Sequence, residues 1–147
     1  PVFTTVHTNV SCYGGTDGTI TVNVSSGTGL YEYQLDGGVF QSSNVFTGVA
    51  AGLHKIKVRD GKSCTKDADV MITEPNILNA TATVTQLACG AGNVPVKAVV
   101  TITAAGGTAP YEYSFDNGLN YSSLDTYESY VGTTLNVVVR DAKGCTY

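Results

Sequence analysis

Apolar and polar residues alternate along this chain with a period of two, and almost nowhere with the 3.6-residue period of a helix. Ile20, Val22 and Val24 are separated by Thr21 and Asn23, Ile56 and Val58 by Lys57, and Val70 and Ile72 by Met71. Val96, Ala98, Val100 and Ile102 form a further series, as do Leu135, Val137 and Val139. Successive side chains on a strand point to opposite faces, so each series marks a half-buried strand. Segments 2–10 and 78–87, rich in Thr, Val and Ala, read as opening strands. Turn-forming clusters cut the runs apart: Gly14-Gly15-Thr16-Asp17-Gly18, Asp36-Gly37-Gly38, Asp60-Gly61, Gly106-Gly107 and Asp116-Asn117-Gly118. Short strands at this spacing predict an all-β chain built of antiparallel immunoglobulin-like β-sandwiches.

The pattern occurs twice. Gly27-Thr28-Gly29-Leu30-Tyr31-Glu32-Tyr33 returns 80 residues later as Gly107-Thr108-Ala109-Pro110-Tyr111-Glu112-Tyr113. Val58-Arg59-Asp60-Gly61-Lys62-Ser63-Cys64-Thr65 returns 81 residues later as Val139-Arg140-Asp141-Ala142-Lys143-Gly144-Cys145-Thr146. The chain is therefore expected to hold two tandem domains, 1–75 and 76–147, divided at Thr73-Glu74-Pro75-Asn76, where proline ends a strand. After Cys64 the first copy has Val70 and Ile72 to form a last strand, whereas only Thr146 and Tyr147 follow Cys145. The second copy is expected to be truncated at that strand.

Each copy is small enough to be marginal without a staple. Each carries two cysteines, 52 residues apart in the first and 56 in the second. The matched spacing predicts disulfides Cys12–Cys64 and Cys89–Cys145, each contributing about 4 kcal/mol in the chain-entropy view, and hence an oxidising, extracellular setting. A net charge of −4 with 14% charged residues argues against nucleic acid or an anionic membrane surface as partner. No run of 18 apolar residues is present, which argues against membrane insertion, and no secretory signal opens the chain, so an exported protein would contain it as an internal or processed piece.

Tyr31 and Tyr33 share a strand face with Leu35, and Tyr111 and Tyr113 with Phe115. Such a face can be an aromatic platform for sugar, but an unbroken apolar stripe of this kind more often turns to the core. Asp17, Asp36, Asp60, Asp116 and Asp141 all neighbour turns. A calcium site needs several oxygens converging from one loop, and no D-x-D-x-D run occurs, so turn formation is the expected role and no cofactor or metal is implied. His7 and His54 stand at unmatched positions, without a repeated nucleophile, and read as surface residues on strands; no catalytic residue is indicated. Asn9, Asn23, Asn79 and Asn120 open N-x-[ST] sequons that a Thr- and Ser-rich chain produces by chance.

Cys-x-Gly-Gly-x-x-Asp-Gly-x-Ile (Cys12–Ile20), the block from Gly27 to Phe40, Gly-Val-Ala-Ala-Gly (Gly48–Gly52), Val-Arg-Asp-x-x-x-Cys-Thr (Val58–Thr65) and Ile-Thr-Glu-Pro (Ile72–Pro75) together resemble the SprB repeat. The second copy departs from that pattern at Cys89–Asn93 and at Tyr127–Gly132 and is a divergent repeat. The resemblance implies a stalk-like segment of a very large adhesin of gliding Bacteroidota. That adhesin would be exported by the type IX pathway and held at the outer surface, with neighbouring repeats and perhaps surface polysaccharide as partners. It implies no catalytic residue and no defined ligand site. The alternative, from another class, is a carbohydrate-binding accessory module of a secreted polysaccharide-degrading enzyme, with Tyr31, Tyr33, Tyr111 and Tyr113 as its binding residues.

Overall fold

The computed structural model describes all residues, Pro1–Tyr147, and resolves two compact units, Pro1–Pro75 and Asn76–Tyr147. Unit 1 is a sandwich of two three-stranded antiparallel sheets. Strands β1 (Val2–Thr8), β2 (Gly18–Ser26) and β4 (Val45–Val49) form one, in the order β1-β2-β4. Strands β3 (Glu32–Leu35), β5 (Gly52–Arg59) and β6 (Thr65–Ile72) form the other, in the order β3-β5-β6. The two-residue alternation decides what lies between them: Ile20 and Val22 point inward from β2, Ile56 and Val58 from β5, and Val70 and Ile72 from β6. Ile20, Ile56 and Val58 are completely buried, and each such side chain contributes roughly 1.5–3 kcal/mol.

The termini of this sandwich lie at opposite ends. β1 starts where Val2 faces Ser26 on β2, and ends where Thr8 faces Thr19. β6 starts at Thr65 beside Arg59 and finishes at Ile72 beside Gly52, the end at which Gly18 faces Val49. The exit is tied to the β1–β2 loop by Val10 N–H to Thr73 O at 3.0 Å, by Thr73 N–H to Asn9 Oδ1 at 3.0 Å and by Gly14 N–H to the Glu74 carboxylate at 2.6 Å.

Unit 2 repeats the plan with less of it. Strands β7 (Asn79–Thr85), β10 (Ala98–Ala105) and β12 (Thr126–Ser129) form a sheet in the order β12-β10-β7, while β11 (Glu112–Ser114) pairs only with β13 (Val138–Arg140). A small hairpin, β8 (Ala88–Cys89) and β9 (Pro95–Val96), lies between β7 and β10. The alternating series from Val96 to Ile102 is thus split. Gly92 and Asn93 adopt left-handed backbone (φ +77° and +58°), which turns the chain back so that Val96 pairs with Ala88 rather than continuing into β10. The series Leu135–Val139 yields a strand only at its end, since no third strand lies along its outer edge. The fully buried apolar core is accordingly Leu78, Ile102 and Val139, against ten residues in unit 1.

The alternation has a direct test in β5. Ile56→Ala should cost about 2–5 kcal/mol by chemical denaturation, and Leu53→Ala, on the outer face and 64% exposed, less than about 1 kcal/mol. Equal effects would contradict the assignment of faces.

Candidate functional site

The motif shared by the two copies folds into one hydrogen-bonded device. In unit 1 the Asp60 carboxylate sits at the β5–β6 turn with 7% of its surface exposed. Its Oδ1 accepts the N–H groups of Lys62 and Cys64, both at 3.0 Å, and its Oδ2 accepts that of Thr28 at 3.3 Å, across from the β2–β3 connection. Backbone bonds close the same turn: Asp60 N–H to Cys64 O at 3.0 Å, Ser63 N–H to Asp60 O at 2.8 Å and Gly61 N–H to Thr28 O at 2.8 Å. In unit 2, Asp141, 3% exposed, accepts Lys143 and Cys145 N–H at 2.9 Å and Thr108 N–H at 2.8 Å. The backbone bonds recur as well, from Asp141 N–H to Cys145 O, Gly144 N–H to Asp141 O and Ala142 N–H to Thr108 O. Burial, the largest single influence on Asp60, raises its pKa, but the donors of Cys64, Lys62 and Thr28 together outweigh it and hold the carboxyl below the usual range. Gly107 has φ +57°, and a Cβ there would stand 2.6 Å from Asp141 Oδ2, so the close approach to the carboxylate demands glycine.

A second pairing lies beside each turn. Arg59 reaches Glu32 across the β3–β5 ladder, Nε at 3.0 Å and a terminal nitrogen at 2.6 Å, with its guanidinium 4.2 Å from the Phe40 ring centroid. Arg140 and Glu112 do the same at 3.1 and 2.6 Å, with Tyr121 as the ring at 3.9 Å. These residues were not singled out from the sequence, although the repetition of Glu between the tyrosines and of Arg before the aspartate is the signal that carries them.

The tyrosines divide by depth. Tyr33 is 8% exposed in the core of unit 1, and its pKa is raised by burial and by neighbouring Tyr31. Tyr31, Tyr111 and Tyr113 are half-buried against the two cores, with the Tyr111 hydroxyl donating to Gly106 O at 2.7 Å. Tyr31 and Tyr33 also border an open surface hollow with Leu30, Glu32, Ser42 and Asp60.

The other turn aspartates serve their own turns. Asp17 accepts Ser11 N–H at 2.9 Å. Asp116 accepts the N–H groups of Asn120 and Leu119, the Asn120 side-chain amide and the Ser114 hydroxyl, and these donors, the Asn120 N–H foremost, lower its pKa to about 2. Asp36 accepts Lys55 N–H at 2.7 Å and meets His54 Nδ1 at 2.7 Å, while His54 Nε2 lies 3.0 Å from Ala50 O. Both partners of the imidazole are acceptors, so only the doubly protonated ring satisfies both; its pKa is raised, chiefly by the bond to Asp36. His54 is thus partly buried and bonded on both ring nitrogens, which its isolated place in the sequence did not show. No three His, Cys, Asp or Glu side chains gather as a metal site.

The cysteine pairing expected from spacing is not what the structure holds. Cys64 and Cys89 are free, exposed thiols, while Cys12 and Cys145 are not free. The reason is placement. Cys64 lies in the Asp60 turn, and the eight residues of β6 separate that turn from Thr73, which is bonded to Val10 two residues before Cys12. Eight strand residues span about 26 Å, whereas bridged cysteines have Cα atoms within about 7 Å. In unit 2, Cys145 sits in the Asp141 turn near Gly107, after the Ala105 end of β10. Cys89 follows Thr85, which pairs with Val99 at the opposite end. Each unit therefore carries one cysteine at either end, and the matched spacing reflects the repeated fold rather than a bridge within it.

Two modules of one all-β sandwich plan, each locked by the same buried carboxylate turn, define a tandem structural repeat. The family model of the SprB repeat matches residues 4–40 and 98–120, one segment in each unit, so the chain carries the SprB repeat twice. A solved structure of fibronectin(III)-like modules of CbhA from Clostridium thermocellum aligns with a TM-score of 0.35 and 16% identity, over 97% of this chain and 88% of that chain. A search of curated proteins found no match.

Two outcomes check this description. Asp116 ionises more readily in the folded chain than at its ordinary value of 3.8, so its contribution is present above that pH and fades as the pH falls toward about 2. In urea titrations across that interval, Asp116→Asn should lose stability less steeply than the unaltered chain; an unchanged slope would contradict the assignment. Alkylation without prior reduction, followed by mass mapping, should label Cys64 and Cys89, and a bridged peptide joining Cys12 to Cys64 or Cys89 to Cys145 would refute the placement of the ends.

Proposed function

We propose that this chain is a structural repeat segment of a large cell-surface adhesin, a stalk that holds adhesive regions away from their anchorage. The observation that carries the proposal is that the polypeptide enters and leaves unit 1, a SprB-repeat unit, at opposite ends. β1 and β6 run in the same direction on the two sheets, so tension on the termini slides strands past one another and loads many backbone bonds together. The carboxylate turn joins the β2–β3 connection to the β5–β6 turn at one end, and the Thr73–Glu74 bonds hold the exit at the other. Export, attachment at the outer surface and service in gliding or surface attachment extend this proposal on the strength of the family resemblance, as do neighbouring repeats as partners.

Stretching the chain by its termini in optical tweezers should give a discrete unfolding step for unit 1, releasing roughly 3.5 Å for each residue freed. Smooth extension at low force would contradict a load-bearing role. The hollow beside Tyr31 favours the second reading, a carbohydrate-binding module. Saturable binding of a polysaccharide, lost in Tyr31→Ala, would move the assignment to it.

A further inference from the structure

Unit 2 is missing a strand that unit 1 shows how to supply. In unit 1, β6 pairs with β5 along eight positions, from Thr65 opposite Arg59 to Ile72 opposite Gly52. It lays Val70 and Ile72 into the core, with 4% and 1% of their surfaces exposed. In unit 2 the same ladder begins and goes no further. Thr146 bridges Arg140 as Thr65 faces Arg59, and Tyr147 exchanges both backbone bonds with Val139, at 2.8 and 2.9 Å, where Lys66 faces Val58. Past Tyr147, no strand pairs with the outer edge of 133–138.

Two apolar hollows follow the line that β6 takes in unit 1. One, of about 180 Å³, is lined by Ala82, Ile102 and Val137 and borders Tyr147; the other, of about 150 Å³, is lined by Val84, Val100 and Leu135. Val137 and Leu135 are two residues apart, on one face of an extended chain, so the hollows succeed one another at strand spacing. Neither contains a charged side chain, and Val84 is left 53% exposed on β7.

We propose that the outer edge of 133–139 is a strand-acceptor site whose occupant is an extended peptide of the β6 pattern, running antiparallel to β13. The unit 1 register sets its specificity. Ala68 faces Ile56, Val70 faces His54 and Ile72 faces Gly52, and the repeat offset places Val137, Leu135 and Thr133 at those three positions. The occupant thus offers a small residue opposite Val137 and branched apolar residues opposite Leu135 and Thr133, with polar residues between them facing outward. Backbone bonds to the open edge supply attachment, and the alternate side chains filling the hollows supply selectivity. This inference stands independently of the stalk proposal.

The test uses the intact 147-residue chain and a synthetic peptide with the sequence of Asp67–Pro75. Saturable one-to-one binding is expected, with slowed amide exchange at 133–139 and an upward shift of the unit 2 melting transition. A peptide with aspartate in place of Val70 and Ile72 should bind about tenfold more weakly or worse, because it carries charge into the hollows. Equal binding of both peptides would overturn the proposal, as would absence of protection at 133–139. A dimer of the chain that the first peptide fails to dissociate would overturn it too, by making a second copy the occupant.

Discussion

A buried aspartate at the turn between two strands organises each unit. Its two carboxylate oxygens accept three backbone N–H groups, two from its own turn and one from the loop that precedes the tyrosine strand. A carboxylate with almost no contact with water is costly unless its lone pairs are filled, so the two segments must close on it together. That requirement sets the register of β3 against β5 and of β11 against β13. It places the Arg–Glu pair one residue away across the ladder and fixes which edge remains for the next strand. The requirement acts twice, through the same residue types, in units whose loops have otherwise diverged.

From that shared anchor the units part company in how much apolar surface they enclose. Unit 1 completes its second sheet with β6 and closes ten side chains into a core. Unit 2 has the corresponding β-turn, the corresponding clamp and the first two residues of the corresponding strand, and its second sheet stops at two strands. The half-buried state of Val137 and the exposure of Val84 are consequences of that one missing ladder, since the residues that would cover them in unit 1 are Val70 and Ile72. A repeat whose last strand is short thus presents a shaped, uncharged edge in place of a closed face.

The positions of the cysteines follow from the same geometry and bear on what a repeat is for. A bridge across the middle of a unit would resist unfolding of that unit. Cysteines at its ends leave the sandwich to be held by its sheets and its carboxylate turn, and make the thiols at Cys64 and Cys89 accessible at the extremities of their units. In a unit whose chain enters at one end and leaves at the other, those extremities are where force is transmitted.

The strand pattern, the duplication, the division after Pro75 and the family resemblance were all legible in the amino-acid order, because a two-residue alternation and a repeated motif are one-dimensional properties. The aspartates were legible as turn residues, but their burial was not: Asp60 and Asp36 look alike in sequence, and only the arrival of the Thr28 loop makes one of them a buried hub. The His54 contacts with Asp36 and Ala50 escaped notice because they join positions with no periodic relation. The cysteine separations were read correctly as numbers and wrongly as bridges, since sequence spacing does not say at which end of a strand a turn falls. Which backbone edges face one another, and therefore which thiols can meet and which strand is missing, is decided by sheet register, a property that exists only once the chain has folded.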